Sequence, residues 1–95
     1  MTANSTIRVL SISAVKNDGY WEWDSWRQVG EISIEEFESF KSDRQTIKFV
    51  RDTLGLLSEH SKGRVKCEDD GYNLIIADKS NNMPLFGFEY GPVLG

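Results

Sequence analysis

The sequence predicts a single α+β domain over residues 1–95, ordered β-β-α-α-β-β-β, with a small antiparallel sheet packed by one main helix. Three observations carry this prediction. Residues 7–15 are apolar on both alternating sides, two serine start signals follow one another at Ser33 and Ser42, and turn residues punctuate three short β-type runs in the last third. Ninety-five residues hold one core and leave room for one small site.

Taken in order, Ile7 and Val9 fall on one side of the first run and Leu10, Ile12 and Ala14 on the other, the pattern of a central strand covered on both faces. Asn17-Asp18-Gly19 breaks it with turn chemistry. An aromatic stretch follows and leads into a second strand over residues 27–32, so the first two strands are expected to form a hairpin with a long aromatic connection. Ser33 and Glu36 have capping-box spacing and should start a short helix that buries Ile34, Phe37 and Phe40. Ser42 to Gln45 repeats the signal for a longer helix, whose apolar positions Ile47, Val50, Leu54 and Leu57 keep the 3,4,3 spacing of one face. Gly55 lies on the exposed side of that helix or ends it. After Ser61-Lys62-Gly63, residues 64–68 and 72–78 flank Asp69-Asp70-Gly71, a hairpin signal, and residues 85–90 follow the turn at 80–84, giving a three-stranded meander.

The densest aromatic feature is the placing of Trp21, Trp23 and Trp26 within six residues, beside Tyr20 and the acids Glu22 and Asp24. In an extended chain Trp21 and Trp23 share a side, and Trp26 changes side unless Asp24-Ser25 turns or bulges. These rings either lid a small core short of aliphatics or anchor a binding surface, since indole supplies large, rigid contact area. A cage of rings with Glu22 or Asp24 around a cation would require the segment to curl.

Charge is segregated. Residues 18–38 carry seven acids, Glu31, Glu35, Glu36 and Glu38 among them, against Arg27 alone; residues 41–66 carry seven bases against three acids. Lys41, Arg44, Lys48 and Arg51 repeat the 3,4,3 spacing and form a stripe that is either a solvated helix face or a basic docking face for an acidic partner. A net charge of −4 and a sequence pI near 4.9 make direct nucleic-acid binding an unfavoured function.

Signatures of catalysis are few. His60 is explained by a helix C-terminus, Asp69-Asp70 by a turn, and Cys67 is a lone cysteine in a strand-like run, unable to form a disulfide within the chain. No phosphate loop, nucleophile elbow or metal-binding pattern is present, so the expectation is a protein without catalytic residues, metal or cofactor. The first residues lack the basic and hydrophobic regions of a signal peptide, and no apolar run reaches the ~18 residues of a spanning helix; a cytoplasmic protein without membrane contact is expected.

The runs Tyr20-Trp-Glu-Trp-Asp-Ser-Trp-Arg-Gln-Val-Gly30, Asp70-Gly-Tyr-Asn-Leu-Ile-Ile-Ala-Asp78 and Pro84-Leu-Phe-Gly-Phe-Glu-Tyr-Gly91 resemble small accessory proteins encoded by tailed bacterial viruses. The resemblance covers about a third of the chain and carries no functional residues across. It implies a compact, acidic protein that acts by binding in the host cytoplasm, as anti-CRISPR inhibitors of host defence do. The functional expectation is an interaction module binding another protein through Tyr20, Trp21, Glu22, Trp23, Asp24, Trp26, Glu35 and Glu38. Its rivals are a small-molecule or nucleotide sequestering domain that uses the rings as pocket walls, and a homo-oligomeric component, a homodimer in the simplest case.

Overall fold

The computed structural model describes residues 6–56 and 64–91. Five strands, β1 (Thr6–Asn17), β2 (Tyr20–Ser33), β3 (Val65–Asp69), β4 (Asn73–Asp78) and β5 (Pro84–Glu89), form one antiparallel sheet in the order β2-β1-β5-β4-β3. Helices α1 (Ile34–Glu38) and α2 (Asp43–Asp52) connect its halves. This is the expected α+β arrangement, with β1 inside the sheet and β3-β4-β5 as a meander.

The β1–β2 connection differs from the long aromatic loop expected. Asp18 and Gly19 both take positive φ, 52° and 85°, and close the hairpin in two residues, so the chain enters β2 at Tyr20. A turn of this kind matches the twist of the flanking strands, and the aromatic segment is therefore strand. The hairpin expected at Asp69-Asp70-Gly71 forms, with its connection one residue later, at 70–72. Its connection has three residues, Gly71 alone takes positive φ, and Asp70 Oδ1 accepts from the amides of Tyr72 and Asn73 at 2.9 and 2.6 Å.

Both serine caps form. Ser33 Oγ accepts from the Glu36 amide at 3.0 Å and Ser42 Oγ from the Gln45 amide at 3.3 Å. Helix α2 closes earlier than its apolar spacing suggested, at Asp52; the amides of Leu54 and Leu56 fold back to the carbonyls of Phe49 and Val50, and Gly55 takes a φ of 68°. A left-handed residue at that point terminates a helix, and glycine adopts it without Cβ strain. Leu54 still packs on the core, close over Gly30, where a Cβ would stand 3.3 Å from its Cδ2. Leu57, Ser58, Glu59, His60 and Lys62 lie outside the described residues.

The main core lies between the helices and one face of the sheet: Ile7, Val9, Ile32, Val50, Val65, Ile76 and Phe88 are buried there. Phe37 and Phe40 are half-buried around it, not enclosed, with Phe37 5.6 Å and Phe40 6.2 Å from the Phe88 ring. Period-two alternation sends Leu10 and Ile12 to the opposite face, where they are nevertheless 1% and 8% exposed. Something on that face, which carries neither α1 nor α2, covers them.

Candidate functional site: an aromatic arm

The cover is the distal part of the β1–β2 hairpin. β1 pairs with β5 only from Arg8 to Ser11; beyond that point β1 and β2 pair with each other alone and form an arm. Two extra residues on β2, Val29 and Asp24, interrupt its register with β1. A bulge bends a strand and sharpens its twist. The one at Asp24 also sets Trp23 opposite Ala14 and Trp26 opposite Ile12, so both indoles share the face of Leu10 and Ile12.

Each aromatic residue of the arm has a distinct environment. Trp21 is half-buried, and its Nε1–H donates to the Asn81 carbonyl in the β4–β5 turn at 2.7 Å. The Lys16 ammonium sits 5.3 Å from the Trp21 ring centroid, a cation–π contact within the arm. Trp23 is half-buried over Gly87: a Cβ there would stand 3.7 Å from Trp23 Cη2 and 3.4 Å from Ile12 Cδ1. Glycine at that place leaves the indole room to lie against the sheet. Trp26 meets Trp23 edge to face, with centroids 5.9 Å apart, and remains 55% exposed; Tyr20 at the tip is 75% exposed.

The arm thus divides the expected partner surface. Trp21 and Trp23 are half-buried as a lid, whereas Tyr20 and Glu22 on the other face, Asp24 at the bulge and Trp26 beside Trp23 are exposed. Glu22 accepts from Asn17 Nδ2 at 3.1 Å. Glu35 and Glu38 are exposed on α1, beyond the other end of β2, roughly 25 Å along the strand from the indoles at ~3.3 Å per residue, and do not join the cluster. A cage around an external cation is not formed by Trp21, whose ring already has Lys16 against it.

The basic stripe is shorter than its spacing implied. Lys41 precedes the Ser42 cap and lies off α2, with its amide donated to Gln45 Oε1. On the helix Arg44 is exposed, Lys48 pairs with Asp52 at 2.8 Å, and Arg51 is half-buried with contacts of its own. A shallow hollow of about 340 Å³ opens beside Phe40, Phe49, Lys48 and Asp52.

Two groups elsewhere have shifted protonation. Burial, then the nearby Asp43 charge, pushes the Cys67 thiol up to about 12, and its Sγ lies 3.9 Å from the Asp43 carbonyl oxygen. That is the setting of an inert structural thiol. Tyr90 donates its hydroxyl to the Asp69 carboxylate, and this hydrogen bond, with the loss of hydration and the neighbouring acids, holds its pKa up at about 12. Among the described residues no three His, Cys, Asp or Glu side chains converge as a metal site would require, and no described helix is long and apolar enough to cross a membrane.

Lys16, Asn81 and Gly87 are the participants that motif reasoning missed. Each acts through strand register or a turn in another hairpin, and only the lone glycine in a β-type run marked a close approach in advance. No protein-family model matches this chain, and no curated protein or solved structure is a match for it, so the arm is understood from its own geometry.

Proposed function

We propose that this protein is a non-enzymatic interaction module that docks a basic surface of another protein with the exposed β2 edge of the β1–β2 arm. The observation that carries this reading is the exposure of Tyr20, Glu22, Asp24 and Trp26 along the edge strand, two rings and two carboxylates on a segment whose other indoles are fastened down; the Asp24 bulge sets Trp26 on the face of Leu10 and Ile12, and Tyr20 and Glu22 on the other. Exposed aromatic anchors with charge between them are the composition of a protein-binding hot spot, and holding the arm in place beforehand lowers the entropy lost on docking. The acids add steering toward a cationic partner that weakens with salt. A virus-encoded inhibitor of a host nucleic-acid-handling or defence protein is the narrower form of this reading, supported by the sequence resemblance and by the acidity of residues 18–38.

The test is capture from host lysate, at low and high salt, with wild-type protein, a Tyr20→Ala/Trp26→Ala variant and a Glu35→Gln/Glu38→Gln variant, each checked for folding. A protein retained by wild type and by the helix variant, released by the arm variant and weakened by salt is the expected result. Identical capture by all three overturns the arm as the docking surface. A mass in solution of two chains, reduced to one by Tyr20→Ala/Trp26→Ala, makes the partner a second copy.

A further inference from the structure

A second arrangement lies on the face of the arm turned away from Leu10 and Ile12, the face that also carries Tyr20 and Glu22. In the β1–β2 register Ser11 stands opposite Arg27 and Ser13 opposite Ser25. Directly paired residues of an antiparallel ladder raise their side chains on one face with Cβ atoms ~5 Å apart, so three hydroxyls and one guanidinium emerge together. A hollow of about 150 Å³ lies there, lined by these four with Ile12 and Trp26 between them in the two strands. Small serine side chains on paired strands leave such a space.

Arg27 itself is the second observation. Four basic side chains are carried on described strands. Arg8 pairs with Glu89, Lys16 lies against Trp21, and Lys66 pairs with Glu68 and bonds Asn82. Arg27 alone has no hydrogen bond, ion pair or ring contact among the described residues, although it is the one base in an acidic stretch. Glu22, on the same face, is drawn toward the arm's tip by Asn17.

We infer that Arg27 and the hydroxyls of Ser11, Ser13 and Ser25 form an oxyanion site that takes a single phosphoryl group. The guanidinium presents two parallel N–H donors that match two oxygens of a tetrahedral anion, and serine hydroxyls rotate to donate to the others. The hollow holds the volume of about five waters at ~30 Å³ each, enough for one such group. The acids of the arm, Asp24 beside Ser25 above all, repel an extended polyanion and limit the ligand to one phosphate, whether the free ion or the phosphorylated side chain of a protein.

The test is a titration of the full chain with inorganic phosphate, O-phosphoserine and sulfate at constant ionic strength, followed by amide and Arg27 Nε–H resonances. Saturable shifts confined to residues 11–13 and 25–27 are expected. Apparent affinity falls ~10-fold or more in Arg27→Gln and ~3-fold in Ser13→Ala/Ser25→Ala, and rises ~2-fold in Asp24→Asn, in line with charge-assisted hydrogen bonds outweighing neutral ones. Tighter binding of O-phosphoserine assigns the site to phosphorylated partners, and tighter binding of inorganic phosphate assigns it to the free ion. Shifts that stay linear to ~50 mM, that chloride reproduces by screening, or that persist in Arg27→Gln overturn the site. If Arg27→Gln does not fold, the serine double variant and Asp24→Asn decide the matter alone.

Discussion

The two ends of the β1–β2 hairpin are built from one pair of strands and are stabilised by different means. At the end nearest the helices, Ile7, Val9 and Ile32 are sealed between the sheet and the rings of Phe37, Phe40 and Phe88, and β5 supplies a second pairing partner. At the far end no helix or third strand is present among the described residues, and the arm holds its place through the Trp21–Asn81 hydrogen bond, the seating of Trp23 over Gly87 and the bend at Asp24. Burial is cooperative and tolerates no gap, whereas the arm depends on a few separable contacts. A protein organised in this way can alter its contact surface with little penalty to its fold.

Breaking the helix-backed end should have the largest effect. Phe88 is fully buried, and Phe88→Ala is expected to remove ~3–5 kcal/mol in denaturant unfolding, a large share of the stability of a domain this size. Trp23→Ala is expected to remove ~2 kcal/mol, because only part of that ring is covered and the space beneath it opens to water. A loss equal to that of Phe88→Ala would show that the arm belongs to the core.

A pH-dependent loss comes next, and it belongs to the helix-backed side of the sheet. Folding favours the neutral Cys67 thiol, so that contribution is complete below the ordinary thiol pKa of 9.0 and drains away as pH rises through about 12. Tyr90 acts with the same sign between 10.0 and about 12. Stability should therefore fall above pH ~9, less steeply in Cys67→Ala and Tyr90→Phe, and the native thiol should react with a disulfide reagent at pH 8 at least ~100-fold more slowly than in the unfolded chain. The two smallest effects separate the indoles of the arm. Trp21→Phe keeps an aromatic ring but loses the N–H donor and should cost ~1 kcal/mol. Trp26→Ala should stay within ~0.5 kcal/mol while abolishing partner capture. Should Trp26→Ala destabilise more than Trp23→Ala, the assignment of lid and contact surface is reversed.

Local rules foresaw much of this fold. Ser33 and Ser42 announced both helix starts because a cap is a contact within four residues, and Ile7 to Ile12 showed two covered faces because alternation needs no knowledge of the partner. The two hairpins show where such rules fail. Asp18-Gly19 and Asp70-Gly71 are the same dipeptide, yet the first closes in two residues and the second takes in Tyr72, because Asp70 binds the next amides with its own carboxylate. The length of the first turn then fixes the pairs as far as Ala14 with Trp23, among them Lys16 with Trp21, and the extra residue Asp24 resets the rest, among them Ser11 with Arg27. The expected surface was legible as residue types. Its division into lid and exposed row depended on the bulge at Asp24 and on Asn81, sixty residues from Trp21, which no periodicity reveals.

The two extra residues of β2 also bear on how the molecule behaves when crowded. β2 is an edge strand of 14 residues, and an open edge of that length is a template for another chain's strand. The interruptions leave between them a regular run of only four pairs, Leu10 to Ser13 opposite Gln28 to Ser25. Stacked cross-β segments extend over about six or seven residues, so β2 stops short of nucleating fibres even though three tryptophans crowd its first half. Deleting Asp24 and Val29 would straighten this edge and turn an interrupted strand into a seed for aggregation.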